Sequence, residues 1–83
     1  MPFVYIIGGG GSDMVKADLT SQIDGEKTIF IVPEVYTSGS LRVYYNGIRQ
    51  VLNVTFTETT TTTFTLNFIP ESGNYLTIDY SRG

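Results

Sequence analysis

Apolar and polar residues alternate through most of the chain. From Lys16 onward, Ala17, Leu19, Ser21 and Ile23 share one parity while Lys16, Asp18, Thr20 and Gln22 share the other, the period-two pattern of a half-buried strand. Asp24 and Gly25 supply a turn, and residues 28–32, with Phe30 at their centre, read as the next strand. Pro33 ends it, because proline has no N–H to give to a ladder. Residues 34–39 form a loop in which Val35 and Tyr36 are placed to plug the edge of a core. Leu41, Val43 and Tyr45 then alternate with Arg42 and Tyr44. Asn46-Gly47 is the strongest hairpin signal in the chain, since both residues tolerate the positive φ of a type I′ turn. A two-residue turn there pairs Tyr45 with Ile48 and Tyr44 with Arg49. The return strand runs through Gln50 towards Leu52, where strict alternation turns Gln50 inward unless a bulge intervenes, and residues 54–57 continue it.

Residues 59–63, all threonine, read as a turn between two strand ends. Phe64, Leu66 and Phe68 alternate with Thr65 and Asn67, residues 70–74 form a loop, and residues 75–80 close the fold with Leu76, Ile78 and Tyr80 on the core face. Six to seven short strands at regular spacing predict an all-β fold, a small antiparallel β-sandwich or barrel. No stretch supports a helix of three turns. Composition agrees, being rich in threonine and tyrosine, which suit pleated surfaces, and poor in the helix formers alanine and leucine.

The N-terminus stands apart from this pattern. Phe3, Val4, Tyr5, Ile6 and Ile7 are all β-prone and uncharged, and four glycines and a serine follow them. Residues 1–12 are therefore read as an extended arm with a glycine tether, and residues 13–83 as the sandwich domain; GGGGS is also the composition of an engineered linker. The apolar run is far shorter than the roughly 20 residues that span a bilayer, and it lacks the positive flank of a secretory signal. An unpaired strand of this kind is an aggregation hazard unless it docks on a sheet edge. Four extended glycines reach about 13 Å at roughly 3.3 Å each. That crosses a strand spacing of about 4.8 Å or a sandwich about 10 Å thick, so the edge belongs to the same domain or to an adjacent subunit.

Size and charge narrow the partners. At 83 residues the chain is one domain with a modest core, and without cysteine it has no disulfide to reinforce it. Five Lys and Arg residues and a net charge of −3 leave no basic stripe, so neither nucleic acid nor an anionic membrane is an expected partner. No histidine or cysteine is present to act as base or nucleophile. Asp18, Asp24, Glu26 and Asp79 read as solvated strand and turn positions rather than a paired acid and base or the oxygen cage of a calcium site. The glycine run lacks the Lys-Ser/Thr of a phosphate-binding loop. The threonines lack the repeat that an ice-binding lattice needs, and β-propensity accounts for them. Catalysis, a cofactor and a bound metal are all unexpected.

Surfaces remain. Arg42, Tyr44 and Arg49 should share the outward face of the hairpin; Tyr and Arg are enriched at interfaces, and the same pair on a surface also forms a cation–π contact of about 0.5–1 kcal/mol. Tyr36, Tyr44 and the loops offer a contact surface for a host receptor or glycan, although the chain has no tryptophan.

Residues 40–50, SLRVYYNGIRQ, resemble the "S-L-x-V-Y-x-N-G" hairpin of small β-sandwich modules in tailed-bacteriophage structural proteins. Asp24-Gly25 before Thr28 and Phe30 is similar to the opening turn and "T-x-F" strand of those modules, and Pro70, Gly73, Leu76 and Tyr80 to their closing segment. The usual "D-Y-T" after the hairpin stands here as Thr55, Phe56 and Thr57, which keeps the aromatic and loses the acid. The resemblance covers residues 19–80 and excludes the arm. It implies a virion component of the tail, neck, fibre or head-decoration type, made in the cytoplasm of the host bacterium. Its partners would be other virion proteins or copies of itself.

Overall fold

The computed structural model describes residues 14–83. In chain order the strands are β1 (Met14–Asp18), β2 (Ile29–Ile31), β3 (Arg42–Tyr45), β4 (Ile48–Arg49), β5 (Phe56–Thr60), β6 (Thr63–Leu66) and β7 (Leu76–Ser81). They form two sheets, one of order β1-β7-β3-β4 and one of order β2-β6-β5. Every strand pairing within them is antiparallel. The fold is a β-sandwich. The arm, residues 3–7 included, and the boundary at residue 12 lie outside the described residues.

The core follows from strand parity. Along β7, Leu76, Ile78 and Tyr80 are buried while Thr77, Asp79 and Ser81 face outward. They meet Phe30, Phe56, Phe64 and Leu66 from the second sheet. Phe64 is central, its ring 5.7 Å from that of Phe30 and 6.2 Å from that of Phe56. The hairpin has the expected register, Tyr45 opposite Ile48 and Tyr44 opposite Arg49. Asn46 and Gly47 take φ values of 54° and 81°, as a type I′ turn requires. The Asn46 side chain also accepts the Tyr75 N–H at 2.8 Å, which fastens the turn to the start of β7.

Three elements differ from the sequence expectation. The strand expected through Ile23 stops at Asp18, whose carboxylate accepts the Thr20 N–H at 2.9 Å and starts a single 3-10 turn, Thr20–Gln22. Such short side-chain-to-backbone bonds compete with ladder pairing, so an Asp at the end of a strand readily diverts it. The return strand of the hairpin is also shorter than its pattern. After β4, Gln50 gives its N–H to the Val43 carbonyl at 2.7 Å, and the Val51 carbonyl then accepts from Val54 and Thr55 in a tight turn. With Asn53 at φ 63°, the chain leaves its sheet and enters the other as β5, so residues 54–57 do not continue β4. The threonine run divides: Thr60 ends β5, Thr63 begins β6, and only Thr61 and Thr62 turn. A register shift between Glu58 and Thr60 absorbs the odd residue.

Candidate functional site: an outer sheet face and an open edge

The strand order places polar residues of four strands on one outer face. Lys16, Asp79 and Arg42 form one cross-strand row, and Asp18, Thr77, Tyr44 and Arg49 the next. Arg42, Tyr44 and Arg49 are thus brought together as expected. Asp79 sits between them and β1, only 14% exposed, with its Oδ1 3.6 Å from Arg42 Nη1 and its Oδ2 3.4 Å from the Tyr44 hydroxyl. Hydrogen bonds from the hydroxyl and amide of Thr20 hold the Asp18 carboxyl below the usual carboxylate range. Lys16, Asp18, Tyr44, Thr77 and Asp79 line a shallow open hollow of about 490 Å³, which the two arginines do not reach. Sequence reasoning put Asp79 on a polar parity but could not place it here, because nothing local to β7 says that β1 and β3 are its neighbours. Among the described residues no three carboxylates gather where they could hold a metal ion.

Tyr36 belongs elsewhere. It is 2% exposed, so its expected place on a contact surface is corrected to one in the core; of the two loop residues expected as plugs it is the buried one, while Val35 is about half exposed. Burial leaves its hydroxyl one economical partner set, and it donates between the carbonyls of Thr60 and Thr63, clamping the β5–β6 hairpin at its tip. Burial, with a smaller contribution from the Glu58 carboxylate, pushes its pKa up from 10.0 to about 12. The folded state therefore holds this proton more tightly than the unfolded chain, so the stabilisation is complete below pH 10.0 and is lost as pH rises towards 12. Thermal unfolding should show a Tm that falls as pH rises from about 10 towards 12, and Tyr36→Phe should lower the Tm at neutral pH yet flatten that alkaline decline. An unchanged alkaline slope in the variant would count against this assignment.

The sheet edges are treated unequally. On β2 the outward backbone groups belong to Ile29 and Ile31, as bonds from Val32 N–H to Thr62 and from Leu66 N–H to Thr28 establish. The Gln22 carboxamide imitates a neighbouring peptide there: it donates to the Ile31 carbonyl and accepts the Ile31 N–H, both at 2.9 Å. On β5 the preceding loop does the same, with Asn53 N–H bonded to the Phe56 carbonyl at 2.6 Å and Phe56 N–H to Val51. β4 is two residues long, too short to template a strand. β1 differs. The Leu19 N–H bond to the Leu76 carbonyl fixes the alternation of its ladder with β7, which turns the backbone groups of Met14, Lys16 and Asp18 away from the sheet. Among the described residues no strand pairs with that side of β1.

No protein-family model matches this chain, and neither a curated protein nor a solved structure does. Its class rests on the fold itself, an all-β sandwich of a four-stranded and a three-stranded sheet.

Proposed function

We propose that this chain is a structural component of a bacteriophage virion, a small tail, neck, fibre-associated or capsid-decorating protein that joins neighbouring subunits by adding its N-terminal arm to a sheet as a strand. The observation that supports the reading best is the β1 edge, which no strand covers among the described residues, in a domain whose β2 and β5 edges are partly covered, by a side chain at Ile31 and by a loop at Phe56. Exposed edges are ordinarily shielded, and an unshielded one suits strand addition. The hairpin resemblance of residues 40–50 points to the particle. The outer face carrying Arg42, Tyr44 and Arg49 offers a second contact area.

The test is deletion of residues 1–11. Among the described residues the whole buried core lies between Leu19 and Tyr80, so the shortened chain should keep a β-rich circular dichroism spectrum and a cooperative melt. It should nevertheless fail to enter particles, or the oligomer, that the full chain enters. A folded truncation incorporated at the normal level would reject the reading.

A further inference from the structure

We propose that residues 3–9 fold back on β1 of the same chain, closing a β-hairpin through a Gly10-Gly11 turn that covers the edge of the larger sheet. This hairpin belongs to the isolated chain and goes beyond the assembly role proposed for the arm: strand addition to a neighbour would begin with its opening.

Length and proximity favour the chain's own edge. Only residues 8–13 separate the β-prone run from Met14, and β1 is the strand they enter. The entropic cost of closing a loop grows with its length, so a short tether delivers its segment first to the strand it is joined to, about 4.8 Å away. The backbone groups of Met14, Lys16 and Asp18 point away from β7, and among the described residues no strand takes them.

The phase of the turn selects one register. The Asn46-Gly47 hairpin shows what a two-residue turn imposes: Tyr45 and Ile48, which flank it, are in phase with Val43 and Gln50, bonded at 2.7 Å two residues further on. Gly-Gly is among the dipeptides that take the same type I′ turn. A turn at Gly9-Gly10, or a type II′ turn at Gly11-Ser12, would aim the arm at the odd-numbered residues of β1, whose groups already face β7. One at Gly8-Gly9 has the right phase but carries residues 3–7 past the N-terminal end of β1. Among these, only Gly10-Gly11 meets both conditions. It sets Ile7 opposite Met14, Tyr5 opposite Lys16 and Phe3 opposite Asp18, five residues against the five of β1. Val4 and Ile6 then share a face with Ala17 and Val15, which are half-buried against the border of the core. The hairpin would extend that apolar border by two large side chains.

Because the chain has no cysteine, engineered thiols report the contact without background. In this register Tyr5 and Lys16 are a bonded antiparallel pair, with Cα atoms about 5.5 Å apart and so within disulfide range. Lys16 is exposed, so its replacement leaves the core intact. The double variant Tyr5→Cys with Lys16→Cys, oxidised mildly in dilute solution, should close within one chain at least about tenfold faster than Ile6→Cys with Lys16→Cys, which has nearly the same tether but the opposite face. Equal rates, or faster closure of the Ile6 variant, would overturn the inference. So would disulfide-linked dimers from mixed single variants in place of closure within the double variant, since the arm would then belong to a neighbour. Amide exchange gives a second readout without thiols. The Lys16 and Asp18 N–H groups should exchange at least about tenfold more slowly in the full chain than in the chain lacking residues 1–11, while Val15 and Ala17, bonded to β7 in both, change little. Unchanged exchange, or protection that fades on dilution, counts against the hairpin. Failure to close in a protein whose truncation still blocks incorporation rejects this hairpin alone; closure alongside normal incorporation of the truncation rejects the assembly role alone.

Discussion

Phe64→Ala should bring the domain to the edge of unfolding. Phe64 has no exposed surface, and its ring is packed between those of Phe30 and Phe56, so truncation removes the contact that holds all three strands of the smaller sheet to one another. Phe to Ala in a core costs about 3–5 kcal/mol, part transfer and part cavity. A domain of this size has a total stability of roughly 4–12 kcal/mol at about 0.05–0.15 kcal/mol per residue. No disulfide limits the unfolded ensemble. Urea unfolding followed by tyrosine fluorescence should therefore show a midpoint near zero denaturant, or no folded baseline. Phe64→Leu, which refills most of the volume, should retain a cooperative transition at a lower midpoint. A Phe64→Ala protein with a near-native midpoint would show that the two sheets do not depend on this cluster.

Glu58→Ala should have the next largest effect, and it acts through polar groups. Glu58 shares a parity with Phe64 across the β5–β6 ladder, which aims it towards the other sheet at the end of the sandwich. Its carboxylate accepts the Gly39 N–H at 2.8 and 3.0 Å and the Leu41 N–H at 3.3 Å. The second sheet thereby grips the loop that leads into β3, at a glycine whose φ of 84° an L side chain rarely adopts. Hydrogen bonds to a charged acceptor contribute about 1.5–3 kcal/mol, and removing that acceptor leaves the part-buried Leu41 N–H unsatisfied. Glu58→Ala should lower stability by about 2 kcal/mol and speed hydrogen exchange at the Gly39 and Leu41 amides before the rest of β3. It should also bring the Tyr36 pKa down, since Glu58 is the charge that adds to the effect of burial there. Glu58→Gln keeps an acceptor oxygen and should fall between. Unaltered exchange at those two amides would show that the loop is held by other means.

The parts of this fold legible in the sequence are those decided within a few residues. Leu76, Ile78 and Tyr80 alternate with polar neighbours and are buried as that alternation requires. Asn46-Gly47 specifies its own turn through backbone preference, and with the turn comes the Tyr44–Arg49 register. Phe64 and Leu66 follow the same rule. Tyr36 was legible as a core plug and misread as a surface contact, because a tyrosine in a loop carries no local sign of which way it points.

Period two states which residues share a face, and it is silent about which sheet that face belongs to. The alternation across residues 48–57 suits one long strand or two short ones in different sheets, and the Val51 carbonyl with its tight turn chooses the second. Gln22 sits on a polar parity in either reading, yet only the 3-10 turn carries its carboxamide to the edge of β2. Asp79 becomes the centre of a charged row solely because β7 lies between β1 and β3. Local sterics and solvation set turns, strand parity and the apolar set, since each depends on residues a few positions apart. Strand order, the choice of sheet and the edge left open depend on contacts between distant parts of the chain, and the tertiary structure alone decides them.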